Sequence, residues 1–299
     1  MEKSTFSWPS ENICSDTSRK AQRQAILESI HLATSGHPGG SFSLVEILSV
    51  IFDGNFHHNP KLTNLDDRDR IVLSKGHGVP ALYAAMSFAG YFAPKEMAHL
   101  RSYGHFLQGH PDKIQYPIME ASTGSLGQGA SVALGLALGL GMKFERKEIK
   151  RLPKVYCLLG DGEMQEGQVW ECLMSAGKFL PGNLIFILDY NKGQIDGPVA
   201  EVMNLEPISE KIKAFNLDVK TVDGHDLHQL KEVMASIDTQ VKRKPTFIVA
   251  HTLKGKGVSF IEHPNKWHGA APSKDQLEEA VLELWSGKKS PVGRLIGEQ

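Results

Sequence analysis

The stretch VYCLLGDGEMQEGQVWECLMSAGKFLPGNLIFILDYN, residues 155–191, decides the fold class. It opens on VYCLL (155–159), a continuous apolar run of strand length that stops at Gly160-Asp161-Gly162. A short apolar run bounded by turn residues reads as a strand buried on both faces. Residues 165–179 carry a helical pattern, Pro181-Gly182 breaks it, and NLIFIL (183–188) is a second buried strand. Strand, helix, strand in that order is the crossover unit of a parallel sheet. The first strand runs into Gly160-Asp161-Gly162 and the second into Asp189-Tyr190-Asn191. Ligands of such sheets sit beyond the carboxyl ends of the strands, so these two loops form the first candidate site.

Working outward, strand and helix signals continue to alternate. Residues 70–74, 218–224 and 246–252 read as further strands. Residues 16–33, 44–52, 129–144 and 225–237 read as helices, and a last one starts at Ser273, with Gln276 completing a capping box. The helix at 129–144 is rich in small residues, which suits close helix contact either inside the fold or at a subunit interface. The expected architecture is α/β: a mostly parallel central sheet with helices on both faces. No repeat or linker divides residues 1–299, so one domain is the simplest reading, with a short amino-terminal extension and a carboxyl-terminal helix.

Composition narrows the function classes. The 299 residues carry 33 basic and 34 acidic side chains, a net charge of -1, which gives no electrostatic case for a nucleic-acid partner. The longest apolar stretch, VALGLALGLGM (132–142), is well short of the roughly 18 residues a membrane span needs. The amino terminus lacks the apolar core of a secretory signal. Three cysteines make no disulfide framework, and Cys157, in a buried strand, and Cys172, in a helix, read as having no redox role. A soluble, cytoplasmic protein is expected. Thirteen histidines, several beside glycine, draw attention.

The chemistry starts from Asp161. Glycines at a strand-to-helix turn let backbone amides approach a phosphate. A carboxylate aimed at a bare diphosphate would repel it, and a hard divalent cation between them removes the conflict. Asp161, the Asn191 side-chain oxygen and a carbonyl such as that of Gly193 are the candidate ligands. Gly-Asp-Gly alone reads first as a tight turn; the two flanking strands, with Asn191 at the end of the second, reverse that reading. A dinucleotide site fits poorly, because Met164 and Gln165 stand where the third glycine belongs.

With those residues in place, the chain resembles the amino-terminal half of a transketolase, a thiamine diphosphate enzyme. The resemblance runs over about residues 16–275 and rests on ordered motifs: SGHPGG (35–40), DRIVLSKGHGVPALYA (69–84), GHPD (109–112), STGSLGQG (122–129), GDGEMQEGQVWE (160–171), LDYNKGQIDG (188–197), VDGHD (222–226), KGKG (254–257) and WHGAAP (267–272). It implies that Asp161, Asn191 and the Gly193 carbonyl hold Mg²⁺, with Ca²⁺ or Mn²⁺ as alternatives. It implies that His77, Gly162 and His268 contact the diphosphate. Gly124, Ser125 and Leu126 would approach the cofactor, Ile195 would pack against it, and Glu166 would link active sites across a subunit interface. His37, His77, His110 and His268 would be the catalytic histidines of the substrate channel, shuttling protons near neutral pH.

The other histidines read differently. His57, His58, His99, His105, His228 and His263 read as surface or structural, His31 as packing, and His225 as capping or orienting a helix start. Lys254 and Lys256 suit either a phosphate contact or a solvated basic turn.

The family needs a second module, which holds the aminopyrimidine and supplies a glutamate that activates the cofactor. Nothing in this chain resembles the pyrimidine-binding or carboxyl-terminal domains. The expectation is a split transketolase: this chain pairs with a carboxyl-terminal subunit, as α₂β₂, and moves a two-carbon ketol unit from a ketose, expected to be a sugar phosphate, to an aldose. The alternatives are a subunit related to 1-deoxyxylulose-phosphate synthase or to a 2-oxo acid dehydrogenase, or a non-catalytic binding subunit.

Overall fold

The computed structural model describes residues 4–262 and 266–295. Its strands are β1 (Arg70–Leu73), β2 (Val155–Gly160), β3 (Leu184–Tyr190), β4 (Gly193–Gln194), β5 (Gly197–Pro198), β6 (Asp218–Asp223) and β7 (Thr246–His251). Five form one parallel sheet in the order β1-β2-β3-β7-β6, and β4 and β5 make a small antiparallel hairpin. The helices are α1 (Asp16–Leu32), α2 (Pro38–Phe42), α3 (Val45–Val50), α4 (Val79–Phe88), α5 (Gln128–Glu145), α6 (Gly167–Phe179), α7 (Val199–Val202), α8 (Ile208–Ala214), α9 (Leu227–Ala235) and α10 (Lys274–Leu284). Among the described residues no helix is long and apolar enough to cross a membrane.

Side chains alternate along each strand, so the sheet divides the interior into two apolar layers. Tyr156, Leu158, Ile185 and Ile187 face α1, α3, α4, α9 and α10. Val155, Cys157, Leu159, Leu184, Phe186 and Leu188 face α5, α6 and α8. All six residues of β2 and all seven of β3 are buried, as their unbroken apolar runs require. Helices on both faces match the expected architecture.

The differences in detail are local. Residues 44–52 do not form one helix: α2 and α3 are separated at Ser43-Leu44, and residues 51–55 form a wide turn that Gly54 closes with φ 83°. Residues 163–165 make a 3-10 turn before α6. The capping box at Ser273 and Gln276 is present in full. Near the ends, Thr5 and Ser7 donate backbone hydrogen bonds to the carbonyls of Arg294 and Val292, at 3.0 and 2.8 Å. The segment at residues 4–7 is thereby tied to the one that follows α10.

Candidate active site

Strands β2 and β3 run in parallel with Gly160 opposite Asp189, so Asp161 and Asn191 emerge side by side at the carboxyl end of the sheet. Asp161 is 2% exposed. Its Oδ1 accepts the Gly162 N–H at 2.8 Å and its Oδ2 accepts the Lys192 N–H. Asn191 donates from Nδ2 to Asp189 Oδ2 at 3.2 Å, and its Oδ1 accepts the Gly193 N–H at 3.1 Å. The amide is therefore held in one orientation. The Gly193 carbonyl accepts from Lys254 Nζ at 3.1 Å. Burial, and then the neighbouring Asp189, push the Asp161 carboxyl up to about 7.

A polar network lies under this loop. Lys75 and Asp189 form a buried ion pair, and Lys75 also donates to the Gly40 carbonyl at 3.0 Å. Ser43 and Thr252 donate to Asp189 as well. Burial alone would raise the Asp189 carboxyl, but Lys75 and these donors hold it below its ordinary value. A buried ion pair of this kind is tolerable because every oxygen has a donor. The network joins β3 to the turn before α3 and to the end of β1.

Glu163 ties the glycine loop to the sheet. Its carboxylate accepts from Ser74 Oγ at 2.5 Å, from the Gly127 N–H at 2.9 Å and from the Gly160 N–H at 3.1 Å. Gly129 sits so close that an added Cβ would lie 2.5 Å from Ser74 Oγ. Gly124, at φ 142°, lies against the His110 ring, where a Cβ would stand 3.0 Å from Cδ2. This close packing places the STGSLGQG loop against both the Asp161 loop and the histidines.

Four histidines from four separate segments converge. Ring centroids lie 5.3 Å apart for His77 and His268, 5.4 Å for His37 and His77, 5.6 Å for His37 and His268 and 6.1 Å for His37 and His110. Burial, then nearby cations, pull His37 down to about 4 and His268 to about 3, and lower His77 and His110 as well. All four are neutral near pH 7, so each ring offers one donor and one acceptor. Lys254 is 3% exposed and donates to His268 Nδ1 at 2.9 Å. Burial and Lys75 lower its ammonium to about 8. It joins the histidine group to the Asp161 loop.

The remaining expected site residues lie at the rim. Ile195 is 67% exposed on the β4–β5 hairpin, beside Gln194, whose Cβ would meet a Cβ on Gly162 at 3.2 Å. Ser125 and Glu166 are exposed, and Leu126 is half-buried. Glu166 stands at the amino end of α6, with its Cβ 3.0 Å from a Cβ built on Gly127.

Two readings change. His225 does not cap α9; Asp226 does, accepting from the His228 and Gln229 N–H groups. His225 instead bonds Glu46 at 3.0 Å through Nδ1 and accepts the Leu253 N–H at 2.8 Å through Nε2. It braces the segment that carries Lys254. Of the two open lysines, Lys254 points into the site, whereas the Lys256 carbonyl accepts from Arg23 at 2.7 Å. His31 bonds the Pro272 carbonyl, His58 stacks between Phe56 and Tyr91, and His105 meets Glu96, all structural settings. His57, His99 and His228 are exposed. His263 lies outside the described residues.

Among the described residues no three His, Cys, Asp or Glu side chains cluster as a metal site. The Asp161 loop offers instead one carboxylate, one amide oxygen and one carbonyl. Such a set suits a hard divalent cation whose remaining ligands are phosphate and water oxygens. Asp189 beside the Asp161 carboxyl, and the Gly193 carbonyl already in contact with an ammonium, show that the loop turns oxygens toward positive charge.

The fold and this loop geometry define an α/β protein whose strand-end glycine loop lies beside a cluster of four histidines. Residues 15–289 match the family model described as transketolase, thiamine diphosphate binding domain. The chain is 40% identical to the 6-deoxy-6-sulfo-D-fructose transketolase subunit of Clostridium sp. (strain MSTE9), over 88% of this chain and 93% of that protein. It is 37% identical to an apulose-4-phosphate transketolase subunit of Phocaeicola vulgatus, over 88% and 90%. It superposes on the transketolase of Pichia stipitis with a TM-score of 0.85 at 28% identity, covering 95% of this chain and 42% of that one. The chain belongs to the transketolase thiamine diphosphate binding domain family.

Proposed function

We propose that this chain is the diphosphate-binding subunit of a two-chain transketolase. One observation carries the proposal: a buried carboxylate–amide–carbonyl loop lies next to four neutral histidines, with Lys254 touching both. Relatives of matching length are named as transketolase subunits, and the chain spans 42% of the transketolase whose structure it matches. Those facts support a partner chain that supplies the pyrimidine-binding half; the α₂β₂ assembly is part of the proposal.

In this reading Asp161, Asn191 and the Gly193 carbonyl hold Mg²⁺, and Gly162, His77 and His268 meet the diphosphate. Thiamine diphosphate, when bound, supplies the carbon nucleophile and electron sink of ketol transfer. The chain's own residues bind, orient and move protons. Lys254, held between the Gly193 carbonyl and His268, would add a positive charge beside the diphosphate. His37, His77, His110 and His268 hold sugar hydroxyls and exchange protons with them. Their neutrality suits this work, because each ring both donates and accepts at pH 7. The substrates are a ketose donor, read as a sugar phosphate, and an aldose acceptor.

The helices α5 and α6 present the surface for the partner. They lie side by side, with Gln168 Nε2 donating to Ser131 Oγ at 2.6 Å. Val132, Met142, Met174 and Phe179 are 39%, 51%, 61% and 58% exposed, too much apolar surface along two neighbouring helices for a solvated face. Gly135 and Gly139 have open space beyond their Cα atoms, which leaves room for close helix approach.

The test is reconstitution of the chain with a candidate partner subunit, thiamine diphosphate, Mg²⁺, a ketose phosphate and an aldose. Ketol transfer only when both chains are present supports the proposal. Robust transfer by this chain alone overturns the two-chain reading, and turnover with pyruvate moves the chain to the alternative thiamine enzymes.

A further inference from the structure

Arg101 belongs to none of the roles above, yet it reaches the histidine cluster from a left-handed backbone position. Its backbone is left-handed, at φ 61°, and its N–H donates to the Leu107 carbonyl at 2.7 Å, closing a tight loop. A non-glycine residue in that region is held there by its surroundings. The guanidinium itself is anchored on three sides. Nη1 donates to Ser35 Oγ at 2.9 Å, and Nη2 lies 3.4 Å from His37 Nδ1. Gly109 lies against the guanidinium plane, where a Cβ would fall 2.6 Å from Nε and 2.7 Å from Cζ. The other edge of the His37 ring, Cδ2 and Nε2, faces Gly269 at 3.7 Å from its built Cβ.

An arginine N–H can only donate. The His37 nitrogen facing it is therefore the acceptor, and the ring proton sits on Nε2. We propose that Arg101 is the positioning residue of His37, fixing the tautomer that keeps Nδ1 bare and presents Nε2–H to the channel. The fork also orients the ring, because it is anchored to Ser35 two residues earlier in the same loop. That His37 uses its Nε2–H on a sugar oxygen rests on the transketolase reading; the tautomer itself does not.

Charge acts in the same direction. The charges that act most strongly on His37 are Arg101, His110, Lys254 and Lys75, and the rings packed against it are His77, His110 and His268. A proton added at Nδ1 would point at the guanidinium. Burial comes first and Arg101 second among the causes that bring His37 down to about 4. Arg101 also lowers His110.

The experiment is ring-¹⁵N NMR of the purified full chain, labelled in histidine, with His37 assigned through His37→Gln. Wild type should show the Nε2–H tautomer and a midpoint far below the ordinary histidine value. Arg101→Met should mix the tautomers and raise the midpoint by about one pH unit, roughly a tenfold change in proton affinity. Arg101→Lys should keep the midpoint low, since it keeps the charge, yet loosen the tautomer, since it loses the planar fork. Circular dichroism confirms that each variant is folded. If Arg101→Met does not fold, Gly109→Ala displaces the same guanidinium and should give the same direction. An unchanged tautomer and midpoint in the folded variant overturns the proposal. In the reconstituted complex the acid limb of kcat/KM should move to higher pH in Arg101→Met. A complex without ketol transfer, beside the expected NMR result, would remove the transketolase reading and leave this assignment standing.

Discussion

Replacing Asp161 by asparagine should stabilise the metal-free chain in mild base while removing its metal-dependent cofactor binding. The Asp161 carboxyl is 2% exposed and is pushed from 3.8 to about 7, first by burial and then by Asp189. An unfolded chain releases this proton near 3.8, whereas the folded chain keeps it until about 7. Between those values the folded state binds more protons, so stability falls as pH rises, and the whole penalty is present above about 7. A displacement of that size corresponds to about 4 kcal/mol for the ionised group. Asparagine is never charged, but it offers one acceptor oxygen where Asp161 offers two, to Gly162 and Lys192. Its amide nitrogen is a donor and would face one of those two N–H groups, which costs about 2 kcal/mol. The net gain should be on the order of 2 kcal/mol at about pH 8 and absent at about pH 4. Urea unfolding followed by circular dichroism at both pH values measures it. Calorimetric titration with thiamine diphosphate and Mg²⁺ measures the cofactor side, where binding should vanish. A variant no more stable than wild type at the higher pH would refute the strained-carboxylate reasoning, and retained metal-dependent affinity would refute the ligand role.

Glu163→Ala should destabilise the chain by about 3–5 kcal/mol, because it strands the donors of Ser74, Gly127 and Gly160 in the interior; a loss within about 1 kcal/mol in urea unfolding would contradict this. Gly129→Ala should displace the glycine loop, since its Cβ meets Ser74 at 2.5 Å, and weaken cofactor binding at least tenfold by calorimetry (about 1.4 kcal/mol). Met174→Asp places a charge on the α6 surface and should abolish co-elution with the partner subunit while leaving the thermal unfolding of the isolated chain within about 0.5 kcal/mol of wild type; a complex of unchanged affinity would move the interface elsewhere.

What the sequence could show depended on whether a contact is local. β2 and β3 were legible because both faces are buried and the apolar runs are unbroken. α4 (Val79–Phe88) went unassigned for the related reason that it is apolar on nearly every side, which erases the helical period. α8 is seven residues long and follows a proline, too short to show a period. The Asp161 and Asn191 pairing was legible from two strand ends, since parallel neighbours place their loops together. The convergence of His37, His77, His110 and His268 was legible only through the family resemblance. No spacing predicts that four loops meet. His225 shows the opposite failure: local capping logic pointed to α9, but its partner Glu46 lies 179 residues away. Lys254 and Arg101 belong to the same class, because the burial of one and the reach of the other follow from tertiary packing alone.

The pairing of residues 5–7 with 292–294 has a practical consequence for protein engineering. Both described ends leave the body at one place, on the side of the sheet covered by α1 and α10. The apolar surface of α5 and α6 lies on the opposite side. With the partner on α5 and α6, as proposed, a fusion made at residue 4 or 295 carries its linker around the sheet edge. Two packed helix layers and a sheet are on the order of 30 Å thick, so at least about ten extended residues are required. A connection between residues 5 and 294, which are already hydrogen-bonded, needs far fewer, so a circularly permuted design joined there can open new ends wherever a shorter tether is wanted.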